Sequence, residues 1–247
     1  MPVDNVRGGR PPAATPVPTP PGDEMLLQTT ARSVLAPLVR LLFRAEVRGG
    51  ENIPRQGPVI LAVNHLSVLD SFVVPLVAPR PVAFLAKAEY FRQPGVKGWL
   101  LRTVLTAVDA VPVPRGGHRA AQAALDAALG VLAAGQAFGI HPEGSRSRDG
   151  RLYRGRTGVA WLALASGAPV VPVAVGGTDR IQPVGARLPR PGRLTVHFGT
   201  PLRFTPPPTG AAGGRARRAA TDEIMAAIRE LSGQQPAEEY NSLSTPG

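Results

Sequence analysis

A chain of 247 residues has room for one sizeable α/β domain, and its 43% apolar content is enough to build a core. It contains no cysteine, which excludes disulfides, thiolate nucleophiles and cysteine-ligated zinc and fits a reducing compartment. The formal charge of +11, carried by 28 basic residues of which only Lys87 and Lys97 are lysines, points to an anionic partner: a phospholipid surface, a phosphorylated molecule or nucleic acid.

Residues 1–23 are rich in Pro, Gly and Ala without an apolar h-region, and read as a disordered tail rather than a signal peptide. The domain is expected over 24–232. It begins with an amphipathic helical segment at 24–46, in which Leu27, Ala31, Val34, Leu38 and Leu42 recur at helical spacing. Arg32, Arg40 and Arg44 fall within a sector of about 120°, and Pro37 should kink the segment or split it into a helix pair. Such a helix suits a membrane interface, and equally suits packing on the domain with solvated arginines. From Gly57 onward, apolar strand-like runs at 58–63, 82–86, 108–113, 136–140, 170–175 and 193–198 alternate with helical stretches near 69–77, 94–105, 117–134, 156–167 and 215–231. That alternation predicts a single α/β domain with a mostly parallel central sheet covered by helices. Residues 233–247 are polar and unpatterned and read as a second disordered tail. No apolar run reaches the roughly 18–20 residues that span a bilayer; the stretch 99–113 is cut by Arg102 and Asp109. A peripheral protein on the inner, cytoplasmic face of the cell membrane is therefore expected.

Chemistry concentrates in two turns. Asn64-His65-Leu66-Ser67-Val68-Leu69-Asp70 follows directly on the apolar run Val59–Val63. On a continuous helix His65 and Asp70 would diverge by about 140°, and on a continuous strand they would lie roughly 16 Å apart on opposite faces. They meet only if the chain turns between them, with His65 at a strand end and Asp70 in the first turn of a helix, where open α/β sheets place their sites. In contact, Asp70 would fix the imidazole tautomer and leave the other nitrogen to take a proton from an alcohol. The second turn is Ile140-His141-Pro142-Glu143-Gly144-Ser145-Arg146-Ser147-Arg148. Here Glu143 and Arg146 can bracket a polar ligand, guanidinium matches phosphate oxygens two-pronged, and Gly144 lets the backbone come close to a substrate.

Taken together the blocks resemble the 1-acylglycerol-3-phosphate acyltransferase family within the glycerolipid acyltransferases. The resemblance rests on Asn64-His65 to Asp70, Val111-Pro112-Val113-Pro114-Arg115, Pro142-Glu143-Gly144-Ser145-Arg146-Ser147 and Val171-Pro172-Val173-Ala174-Val175 in that order, and extends from about Arg44 to Pro201. Gly50-Glu51-Asn52-Ile53-Pro54 and Ala86-Lys87-Ala88-Glu89-Tyr90-Phe91 are also similar to the family. It implies that His65 deprotonates the free hydroxyl of lysophosphatidate, which attacks an acyl thioester directly to give phosphatidate, while coenzyme A or acyl carrier protein departs as the thiol. No acyl-enzyme is implied, in keeping with a chain that lacks cysteine and a Gly-x-Ser-x-Gly elbow. The resemblance further implies that Arg115, Glu143, Gly144, Ser145 and Arg146 bind the glycerol phosphate, with Lys87 a further phosphate candidate, and that the Val171–Val175 strand lines a pocket. No metal and no cofactor beyond the acyl donor is expected.

The chain departs from the family pattern at Asp109, where a glycine is usual, at His141, where an aromatic residue is usual, and at Ser145 in place of threonine. His141 reads as a tolerated ring, with a secondary acid or a phosphate contact as alternatives; His118 and His197 read as structural. Another lysolipid acceptor, or a non-catalytic lipid-binding protein on a membrane surface, is the alternative function. Nucleic-acid binding lacks a recognition signature and has only 5% aromatic residues behind it.

Overall fold

The computed structural model describes Ser33 and residues 35–113, 117–186, 188–205 and 212–241. A helix over 35–42 (α1) leads into β1 (Glu46–Arg48), a 3-10 turn (Gly50–Asn52), β2 (Val59–Val63), α2 (Asp70–Val77), β3 (Val82–Lys87), α3 (Ala88–Phe91), α4 (Gly95–Ala107) and β4 (Val111–Val113). The chain continues through α5 (Gly117–Ala133), β5 (Ala137–Ile140), α6 (Gly158–Ser166), β6 (Val170–Gly176), α7 (Thr178–Ile181), β7 (Thr195–Phe198) and α8 (Ala212–Ser232). The strands form one seven-stranded sheet in the order β1-β7-β6-β2-β5-β3-β4. Every pairing is parallel except β6 with β7. This is the mostly parallel α/β domain that the sequence predicts.

The sheet sits between helices because its central strands are apolar on both faces, as parallel strands buried on both sides must be. Along β2, Val59, Leu61 and Val63 pack with Val73, Val74 and Val77 of α2, while Ile60 and Ala62 pack on the opposite side with Leu132 of α5, Leu162 of α6 and Ile228 of α8. The two-residue alternation of the strand thus assigns its side chains to two separate cores. Full burial of side chains such as Ile60, Leu61, Leu162 and Ile228 contributes about 1.5–3 kcal/mol each.

Three expectations need revision or fall outside the description. β1 is an additional strand that begins at residue 46, where the expected helical segment ends; it is the short edge of the sheet and carries charge at Glu46 and Arg48 on either side of Val47. The tail expected to be disordered over 233–247 is ordered over 233–241. Leu152 and Arg154 donate their backbone N–H groups to the carbonyls of Gln235 and Glu239, and Ala237 donates to Leu152. Backbone pairing of this kind leaves no hydrophobic period to read. Residues 1–32, Arg115 and 242–247 lie outside the described residues, as do the side chains of Lys87 and His118. His197 lies on β7, in register with Arg48 and Ala174.

Candidate active site

β2 and β5 are neighbours in parallel register, with Ala62 opposite Ile140, so the segments that follow them leave the sheet side by side. β2 is followed by Asn64, fully buried, whose side chain continues the strand pairing after the strand has stopped. Its Oδ1 accepts from the Val175 N–H at 2.7 Å, and its Nδ2 donates to the Val175 carbonyl at 2.9 Å and to Gln234 Oε1 at 2.8 Å. The residue after it, His65, is therefore fixed at its root. Between His65 and Asp70 the chain makes the turn that the spacing requires, and α2 starts on Asp70 itself.

One oxygen of Asp70 closes that turn. Oδ2 accepts from the N–H groups of Leu66 (2.7 Å) and Ser67 (2.8 Å) and lies 3.0 Å from His65 Nδ1. Because a carboxylate oxygen already receiving two N–H groups is an acceptor, Nδ1 carries the proton of the neutral imidazole and Nε2 carries the lone pair. Asp70 is fully buried, whereas the His65 side chain keeps 16% exposure, and Nε2 has no hydrogen-bond partner among the described residues. A group held in this way can withdraw a proton from a ligand that reaches it and share the resulting charge with Asp70.

The second turn serves the first. Glu143 is fully buried; its Oε1 accepts from the His65 backbone N–H and its Oε2 from the Tyr153 N–H, both at 2.9 Å. The His65 carbonyl in turn accepts from the Ser147 N–H at 2.7 Å. Both backbone groups of His65 are thus held by the loop that follows β5. The expectation that Glu143 touches a substrate is corrected, because no part of it is accessible and both oxygens are committed to the peptide backbone. At Gly144, with φ +78°, the space a Cβ would fill is taken by Arg156, whose Nε would lie 2.8 Å away. Arg156 also donates its backbone N–H to the Pro142 carbonyl at 2.8 Å, and Asn241 donates to the Arg146 carbonyl at 3.0 Å, pinning the turn from outside. Ser145 Oγ is buried and has no partner among the described residues. Arg146 is half-buried.

Sequence reasoning placed Asn64 in the motif without giving it a role, and overlooked the Gln234 side chain behind it. A polar residue closing the all-apolar run Val59–Val63 was the available signal for the first; nothing local marked the second. His141 was noticed, but its place was not foreseen: its ring is stacked on that of His65 with centroids 3.8 Å apart and planes 10° from parallel.

Burial pushes the Glu143 carboxyl up to about 7, against the two backbone N–H bonds that favour its ionised form. Folding therefore binds a proton that the unfolded chain, titrating near 4.5, releases; the stability this contributes is present below 4.5 and lost as pH rises through about 7. Burial, with His65 beside it, lowers His141 from 6.5 to about 3, so its contribution is present above 6.5 and lost as pH falls towards 3. Between pH 4.5 and 6.5 the two slopes oppose each other. Glu143→Gln should remove one of them. The variant is expected to lose about 1–3 kcal/mol, since its carboxamide sets a donor against one of the two N–H groups. Its stability should then rise through that window by up to about 1.4 kcal/mol per pH unit. Urea midpoints measured at several pH values check this; curves for the two proteins that run parallel would contradict it.

The acyltransferase family pattern matches residues 44–176, more than half of the chain, and spans both turns. The chain belongs to the acyltransferase family. Among curated acyltransferases, the 1-acyl-sn-glycerol-3-phosphate acyltransferase of Borreliella burgdorferi is 33% identical over 133 residues, 54% of this chain and 51% of that protein. The chloroplastic 1-acyl-sn-glycerol-3-phosphate acyltransferase BAT2 of Brassica napus is 31% identical over 145 residues, 58% of this chain and 40% of that protein. The chain thus spans about half the length of the curated relatives it matches. The crystal structure of the 1-acyl-sn-glycerophosphate (LPA) acyltransferase PlsC from Thermotoga maritima is similar at a TM-score of 0.61 and 26% identity, covering 85% of this chain and 87% of that one.

Proposed function

We propose that the chain transfers an acyl group from a thioester, acyl-CoA or acyl-carrier protein, to the free hydroxyl of lysophosphatidate, giving phosphatidate. The observation behind this reading is the His65–Asp70 pair, 3.0 Å apart, with Nε2 left unbonded among the described residues. In the reaction Nε2 removes the proton of the acceptor hydroxyl as its oxygen attacks the thioester carbon. The new C–O bond forms and the C–S bond breaks, and the imidazolium returns its proton to the departing thiolate. Asp70 stabilises the imidazolium between the two proton transfers and keeps Nδ1–H turned away from the acceptor. Arg115, Arg146 and Lys87 are assigned to the phosphate, with Ser145 as a further candidate, because a dianionic head group suits guanidinium and ammonium donors in a chain of net charge +11.

The site works on a lipid surface at the inner face of the cell membrane. Among the described residues no helix is long and apolar enough to cross a bilayer. Large apolar side chains are nevertheless exposed around the end of the sheet where β2, β3 and β6 finish: Val68 (40%) in the His65–Asp70 turn, Val96 (80%) and Trp99 (60%) at the start of α4, and Leu188 (77%) between β6 and β7. Leu41 (78%), shortly before β1, adds to them. Exposed apolar tips on a chain of net charge +11 suit an anionic interface.

An acceptor panel tests the assignment. Lysophosphatidate is expected to be used with a KM at least about tenfold below that of lysophosphatidylcholine, the difference that one charge-assisted contact of about 1.5 kcal/mol or more supplies. Vesicles of phosphatidylglycerol sedimented from the same mixture are expected to carry the chain down with them. Equal use of the two acceptors would assign the site to a different lysolipid chemistry.

A further inference from the structure

The imidazole of His141 leaves no group free for chemistry. Its Nδ1 faces the Val63 carbonyl at 3.1 Å, and its Nε2 faces the Ser71 hydroxyl at 3.0 Å. A carbonyl only accepts, so Nδ1–H donates to Val63 and Nε2 accepts from Ser71. With both nitrogens engaged, His141 has neither a proton to give nor a lone pair to offer a phosphate. What remains is its flat face, stacked on His65 at 3.8 Å, with the Phe84 ring packed against it at 5.5 Å. Space for Phe84 comes from Gly139, where an added Cβ would lie 2.1 Å from the Phe84 ring. The arrangement runs from Phe84 on β3, through His141 at the end of β5, to His65 at the end of β2.

We propose that His141 is a positioning residue for acyl transfer: tied to Val63 and Ser71, its ring sets the plane of the His65 imidazole and so aims Nε2 at the acceptor hydroxyl. Asp70 alone fixes one ring atom of His65 and leaves the ring free to swing about that contact; a second, parallel ring removes this freedom. Burial lowers His141 to about 3, so that it stays neutral at working pH and places no charge against the imidazolium that His65 becomes during turnover. The inference rests on the reading of His65 as general base.

Three purified full-length proteins decide it: wild type, His141→Ala and His141→Phe. His141→Ala is expected to lower kcat about tenfold with KM within about twofold, because misaiming costs rate rather than binding. His141→Phe restores a stacked ring without the hydrogen bonds and is expected to recover kcat to within about threefold of wild type. Carbon-13 relaxation of the His65 ring, measured without substrate, should show an ordered ring in wild type and His141→Phe and a more mobile one in His141→Ala, with Nδ1 protonated in all three because Asp70 is retained. A kcat for His141→Ala within about twofold of wild type, a Phe variant no better than the Ala variant, or a His65 ring equally ordered in all three would overturn the proposal. The relaxation measurements need no turnover, so a wild type that transfers no acyl group defeats the functional reading while they still report whether His141 fixes the ring.

Discussion

Replacing His65 by alanine is expected to lower kcat/KM for acyl transfer by about 10²–10⁴-fold, the range over which a positioned general base accelerates proton removal. The fold should survive. His65 is held by its backbone, through the N–H to Glu143 and the carbonyl from Ser147, and alanine keeps both bonds. Removal of the side chain takes away the contact with Asp70 and exposes the face of His141, at a site already 16% exposed, so the stability cost should be small beside the catalytic one. Rates measured under saturating donor, together with a urea midpoint for the same protein, separate the two effects. A variant with intact folding and full turnover would remove His65 from the mechanism.

Asp70→Asn is the second large effect, and the geometry makes it a separable one. A single oxygen, Oδ2, receives the N–H groups of Leu66 and Ser67 and the contact from His65, while Oδ1 is buried without a partner among the described residues. An asparagine can therefore place its carbonyl oxygen where Oδ2 lies, keep all three contacts and hold the same His65 tautomer. The negative charge is lost, and the amide NH2 takes the buried place of Oδ1, so a urea midpoint for the same protein separates the folding cost of about 1–3 kcal/mol from the fall in rate. The expected result is a fall in kcat of about 10²-fold or more, because the imidazolium forms without its counter-charge. KM should be little changed. Asp70→Ala would be less informative, since it strands two buried N–H groups at about 1–3 kcal/mol each and mixes a folding defect into the rate. Should the asparagine variant turn over like wild type, Asp70 would be a bracket for the turn and nothing more.

The site was legible where chemistry depends on residue type and spacing. Five residues from His65 to Asp70, after an apolar strand, left a turn as the sole way for them to meet, and the structure has that turn. The sheet was legible for the same kind of reason: Val59 to Val63 and Val170 to Val175 are continuous apolar runs that suit strands buried on both faces. What stayed hidden depends on burial and on backbone partners. Glu143 looks in sequence like a ligand contact, and only its complete burial between two backbone N–H groups shows that it braces His65. Residues 233–241 carry no period because their contribution runs through carbonyls and N–H groups paired with Leu152 and Arg154, and through Gln234 behind Asn64. β1 escaped notice as three residues, two of them charged, at an edge where a short charged strand discourages further pairing.

These placements converge on one arrangement: two loops, from adjacent parallel strands, hold a single imidazole by its backbone, its Nδ1 and its ring face. The most direct test counts both products at once. Purified chain given an acyl thioester and lysophosphatidate should release free thiol and form phosphatidate in equal amounts at equal rates, and both should collapse together in His65→Ala. Thiol release without phosphatidate, or the same yield of phosphatidate from the alanine variant, would contradict the account.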